Sequence, residues 1–147
     1  MNTHNSILEA NAMQNTSKTF PNAVELFGRV LLVAMFLLSG LGKLSAYEQT
    51  AGYMSAFGVP GALLPLVIGF EVLAAVMIII GWQVRITSLL LAGFTLLSAL
   101  MFHANLADQT QMVMFLKNVS IAGAFLLLVV NGAGKFSVDA RNANRSR

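Results

Sequence analysis

The chain has 147 residues, 56% of them hydrophobic and 10% charged, with a net charge of +3. Soluble domains carry about 25% charged residues, so the deficit points to lipid as the main solvent. The absence of cysteine excludes disulfides, thiol redox couples, cysteine-ligated iron–sulfur clusters and zinc–thiolate sites within the chain. The small positive charge gives no ground for nucleic-acid binding, because membrane topology accounts for where it sits.

Residues 1–22 are polar and rich in Asn, Thr and Ser. They show no helical apolar stripe and read as a disordered tail. A secretory signal would need a basic start followed closely by an apolar core, whereas here only Lys18 precedes a late apolar run. A membrane domain is expected over residues 23–134, with spans at about 23–44, 61–82, 86–102 and 112–130, each near the length that crosses a bilayer.

The first span holds two cations, Arg29 and Lys43. At about 100° and 1.5 Å per residue they share one helix face and stand about 21 Å apart. That face either points into the bundle or lets both side chains snorkel to the two headgroup layers. Ser45-Ala-Tyr-Glu48 matches a capping box that would open a short interfacial helix before Gly58 and Pro60. Tyr47 and Tyr53 suit the headgroup layer.

The second span carries Glu71 in its apolar interior. A carboxylate there is costly and faces protein or water rather than lipid. It must be protonated, hydrogen-bonded or paired. Arg29 is the partner expected for it. Ala74 and Ala75 follow on the same face and admit a close neighbour. Three roles stay open for Glu71: a structural ion pair, a proton carrier, or a hydrogen-bond acceptor for a bound molecule.

The short link at 83–85 makes spans two and three an antiparallel hairpin. The third span supplies Ser88, Thr95 and Ser98 and ends at His103; the fourth opens with Lys117 and Asn118 and closes at Asn131-Gly132-Ala-Gly134, a sequence suited to a left-handed helix cap. Residues 135–147 read as a short basic cytoplasmic tail. Seven of the nine basic residues then fall on the side of the termini, which puts both termini in the cytoplasm. The fold expected is an all-α, four-helix antiparallel membrane bundle with a short interfacial helix between spans one and two.

In that arrangement Lys43, His103, Lys117 and Asn118 form a candidate polar cluster at the outer ends of three helices. Together with Glu71 and Arg29 they suggest a polar column through the bundle. His103 reads as an interfacial histidine or, less well, as one axial haem ligand without a second. Lys117 and Asn118 offer donors for an anion or a quinone carbonyl, or serve as interfacial anchors. No dinucleotide fingerprint, P-loop, metal-protease His pair or nucleophile motif is present, so redox chemistry would need a bound cofactor.

One ordered set of short motifs is specific as a whole. It comprises Gly28-Arg29, Leu38-Ser-Gly-Leu-Gly-Lys43, Tyr53-Met54, Gly58-Val-Pro-Gly61, Glu71, Gly81-Trp82, Arg85, Phe102-His103 and Lys117-Asn-Val-Ser-Ile-Ala-Gly-Ala-Phe-Leu-Leu-Leu128. Over residues 24–138 the chain resembles the DoxX family of small bacterial four-helix membrane proteins, and within it the YqjF-type inner-membrane proteins. The resemblance implies an inner-membrane protein that is an accessory or quinone-interacting component of a membrane redox system. Its partners would be the bilayer and a redox protein or a second copy of the chain. A proton-coupled transporter using Glu71, or a purely structural subunit, are the alternatives. The cofactor stays unknown at this point: a quinone is compatible with the resemblance, haem is disfavoured, and no metal site is expected.

Overall fold

The computed structural model describes residues 3–145, with side chains from Pro21 onward. Among the described residues six α-helices occur in the order α1 (Thr3–Ser45), α2 (Tyr47–Ala56), α3 (Leu64–Ile80), α4 (Val84–Phe102), α5 (Gln109–Asn131) and α6 (Val138–Arg145), with a single 3₁₀ turn at Gly61–Leu63 before α3. No strand occurs among the described residues. Four stretches are long and apolar enough to cross a membrane: Pro21–Ser45, Gly61–Ile80, Val84–Phe102 and Gln109–Asn131. Their number is the four expected.

The helical backbone reaches back to Thr3, through the stretch read from composition as a disordered tail. Leu8, Glu9, Ala10, Ala12, Met13 and Gln14 are good helix formers, and no glycine interrupts them before Gly28. Residues 1, 2, 146 and 147 lie outside the described residues, and Lys18 lies outside those with described side chains.

Unlike a soluble protein, the bundle is apolar outside as well as inside. Leu31, Leu38, Leu66, Leu73, Leu127 and Val130 are all more than half exposed on the outside, where lipid would solvate them. Beside large apolar side chains such as Val33, Leu64, Ile78, Leu91 and Phe125, the interior takes many small and polar ones: Gly40, Ala74, Ala75, Ala92, Ala99 and Ala122 are buried, as are Thr87, Ser88 and Thr95. Between membrane helices lipid supplies no hydrophobic drive, so close packing of small residues and interhelical hydrogen bonds replace it. A Cβ on Gly40 would lie 2.8 Å from Val72 Cγ2, so glycine lets α1 and α3 touch at the level of Glu71. The pairs α1–α3 and α4–α5 pack most extensively. Phe36 of α1 meets Phe125 of α5 edge-on, with ring centroids 5.4 Å apart.

Ser45 does not cap α2. It is the last residue of α1, and its hydroxyl donates to the Gly42 carbonyl. Only Ala46 separates the two helices, which leaves no room for a capping box. Tyr53 instead stacks with Phe102 and packs on Phe57, fastening α2 over the end of α4.

The opposite end of the bundle is closed by the C-terminal segment, which the sequence alone reads as a short basic tail. Asp139 accepts from the backbone N–H of Gln83 at 2.8 Å and of Val84 at 3.0 Å, capping α4 from 55 residues further along the chain. Its own N–H donates to Gly81 O. Gly81 ends α3 in the left-handed region at φ 75°, and an added Cβ would collide with Ser137 and the Arg29 guanidinium. Arg29 is 1% exposed; it donates to Ile78 O at 3.0 Å and to Phe136 O at 2.6 Å. Ser137 in turn accepts from Ala140 N–H and opens α6. Gly132 stops α5 at φ 78° but ψ −159°, a glycine-only extended form rather than the left-handed cap expected.

Loss of a side-chain cap costs about 1 kcal/mol, so Asp139→Ala should lower stability by that amount in detergent unfolding. Gly81→Ala adds both backbone strain and a collision. It should cost clearly more than Asp139→Ala and open residues 132–145 to proteolysis, read by mass spectrometry of digests.

Candidate functional site

Glu71 is 5% exposed, inside the membrane-spanning part of α3. Its partner is Lys43, not Arg29. The Lys43 ammonium donates to Glu71 Oε1 at 2.9 Å and Oε2 at 2.7 Å, and to Ser39 Oγ at 2.5 Å. This is the only salt bridge among the described residues. Depth along the bundle decides the pairing. Glu71 lies seven residues into α3, about 10 Å from its start, and α3 begins at the end of the bundle where α1 finishes. Lys43 reaches back along α1 past Ser39 to meet it. Arg29 stands about 21 Å further along α1, beyond the span of a side chain.

The expected polar column is therefore broken. Between Arg29 and the Lys43–Glu71 pair lie Val33, Phe36, Ala74, Ala75, Ile78 and Phe125, one buried apolar cluster. A small cavity at the Arg29 end, about 270 Å³, is lined by Glu25, Arg29 and Asn131 with leucines.

A larger cavity of about 550 Å³ opens at the Lys43–Glu71 end. Its polar wall brings together Ser39, Lys43, Glu71, Thr95, His103 and Asn118, from α1, α3, α4, α5 and the residue after α4. Its remaining walls are mostly apolar and aromatic, including Met35, Phe36, Phe94, Met101 and Phe102. Thr50, Tyr53 and Met54 of α2 form a cover. The interfacial helix expected from sequence is thus also part of the cavity wall.

Three of the four residues of the expected outer cluster line this cavity: Lys43, His103 and Asn118. Lys117 does not. It is exposed on α5, about 100° round the helix from Asn118. Of the expected intramembrane pair, Glu71 belongs here and Arg29 to the opposite end. Sequence reading missed Ser39 and Thr95 as site residues. Ser39 lies one turn before Lys43 on the same face, a spacing that marks it as a lysine partner. Thr95 donates to Leu91 O at 2.6 Å, the back-bond usual for a buried helix threonine. His103 is held by a 2.7 Å contact between Nδ1 and Gln111 Oε1, across the loop that joins α4 to α5. Among the described residues no three His, Asp or Glu side chains come together as a metal site would require.

The apolar exterior, the four spans and the ion-paired interior define a small polytopic integral membrane protein with a ligand-sized cavity between its helices. The DoxX family model matches residues 24–104, and the chain belongs to the DoxX family. It is 46% identical over 114 residues to inner membrane protein YqjF of Escherichia coli K12, covering 78% of this chain and 88% of that one. It is also 37% identical over 124 residues to inner membrane protein YphA of the same organism, covering 79% and 88%. No solved structure matches the chain.

A buried charge left without its partner costs about 3–5 kcal/mol, whereas replacing both partners by apolar groups is often neutral. Lys43→Met and Glu71→Leu should therefore each destabilise strongly in detergent unfolding, and the double variant should recover most of the loss. Arg29→Met combined with Glu71→Leu should show no such recovery.

Proposed function

We propose that the protein is a quinone-class binding component of a membrane redox system, with the cavity beside Lys43–Glu71 as its binding site. The observation that carries this reading is the cavity itself. It lies at membrane depth, has the volume of a small-molecule site, and is apolar except for a few convergent polar groups. A lipid-soluble ring with polar oxygens matches that lining. Membership of the DoxX family supports the same reading. The buried apolar layer between the two polar ends gives no support to a proton path through one copy of the chain.

Both termini are assigned to the cytoplasm on the seven-to-two placement of basic residues. The cavity then opens toward the opposite face of the membrane. A phosphatase and a fluorescent reporter fused in turn to the C-terminus check this: fluorescence with no phosphatase activity is expected.

The test of binding is extraction of the gently purified full chain followed by chromatography and absorption spectroscopy. Quinone should co-purify above its share of the surrounding lipid. Ser98→Phe, which fills the cavity, should reduce it about tenfold, the effect of losing roughly 1.4 kcal/mol of binding. Leu89→Phe on the lipid-facing side of α4 should leave it unchanged. If no quinone, haem or flavin is present and no redox protein co-purifies, the reading fails.

A further inference from the structure

The outer end of the cavity and its flank are built differently. α2 lies across the outer end, with Thr50, Tyr53 and Met54 in the wall. Tyr53 and Phe57 hold that helix on Phe102, with ring centroids 5.6 and 5.4 Å away. The flank is the seam between α3 and α4. From their tight turn these helices stay together past Met77 and Thr87 to Phe70 and Phe94, whose ring centroids are 5.1 Å apart. α4 meets the start of α3 again at Phe102, which packs on the cluster of Met54, Leu64 and Ile68. Among the described residues no ring pair or hydrogen bond joins α3 to α4 between these two closures. Phe94 to Phe102 is about 12 Å of helix.

Two apolar stripes border that gap. Leu63 and Val67 precede Phe70 by seven and three residues, and Leu97 and Met101 follow Phe94 by three and seven. Each pair therefore continues the face that carries its ring. All four side chains line the cavity. Leu63, Leu97 and Met101 are also exposed on the outside of the bundle, Leu97 to 56%. Leu97 lies five residues inside the end of α4, within a membrane-crossing stretch. Side chains that belong both to the cavity wall and to the lipid-facing surface mark an opening toward lipid.

We infer that the gap is a lateral window and that the cavity takes a ligand with an apolar tail. The ring lies beside Lys43–Glu71, and the tail runs out between α3 and α4 into the bilayer. The inference rests on the quinone-class reading of the cavity and deepens it, by assigning the tail and the route of entry. The polar groups stand on the inner wall, and the border of the window is apolar, which suits a molecule that is polar at one end only. A polar or charged group passing through that border would lose its hydrogen bonds to water and find none in return.

Two quinone probes with the same ring, one bearing a methyl group and one a decyl chain, test this on the full chain in lipid nanodiscs. A second form of the decyl probe carries a diazirine in its chain. Irradiation of that form should label Leu63, Val67, Leu97 or Met101, and excess unlabelled decyl quinone should suppress the labelling. Leu97→Trp crowds the window and should weaken the decyl probe about tenfold, the effect of overfilling a packed gap, while leaving the methyl probe unchanged. Leu89→Trp, lipid-facing and outside the cavity wall, should change neither. Suppressible labelling on α2 sends the tail out through the aqueous end, and labelling at Met35, the half-exposed lining residue of α1, sends it out on the other flank. Either result overturns the window, as does a Leu97→Trp variant that weakens both probes equally or neither. All of these leave a quinone-class site in place. If neither probe binds the wild-type chain, the cavity reading falls as well.

Discussion

A carboxylate inside an apolar helix must be matched at its own depth, and the rest of this structure follows from how Glu71 is matched. Taking an ion out of water costs several kcal/mol even after the protein relaxes, so the pairing requires close geometry and further hydrogen bonds. Lys43 supplies both, contacting each carboxylate oxygen and Ser39 together. That geometry requires α1 and α3 to touch, which Gly40 permits at the same level. The helix pair thus fixed forms one side of the cavity, and α4 and α5 complete it with Phe94, Thr95 and Asn118.

The two ends of the bundle solve the problem of a buried cation differently. Lys43 is neutralised by an ion. Arg29 donates from its two terminal nitrogens to the carbonyls of Ile78 and Phe136 while its Nε is buried without a partner, and Glu25 and Asp139 act on it as opposite charges rather than direct ion-pair partners. The planar guanidinium suits such a fork onto separated oxygens, and a compact ammonium does not. One end is consequently tied by backbone and sealed by α6. The other is tied by side chains and holds the larger of the two cavities described above.

Much of this was legible in the sequence. Hydropathy and length located four spans, and the small residues Ala74 and Ala75 marked the close-packed face of α3 because lipid-bathed helices have few other ways to pack. The partner of Glu71 was misread because helical phase alone places Arg29 and Lys43 on one face. Depth measured from the connection between α1 and α3 separates them. Ser45 looked like a cap because a capping box has the same letters whether or not a helix has just ended there. The closure by Asp139 had no local signal at all, since a cap contributed from 55 residues away leaves no pattern around the helix it serves.

The tie between Arg29 and Phe136 spans 107 residues. Translation is vectorial, so the first span meets the translocon while its arginine's last acceptor has yet to be synthesised. Until Phe136 has been made and has docked, that guanidinium lacks one of its two carbonyl acceptors. The closing contact of the first span therefore waits on the C-terminal segment, which makes the order of synthesis part of how this end of the bundle is assembled.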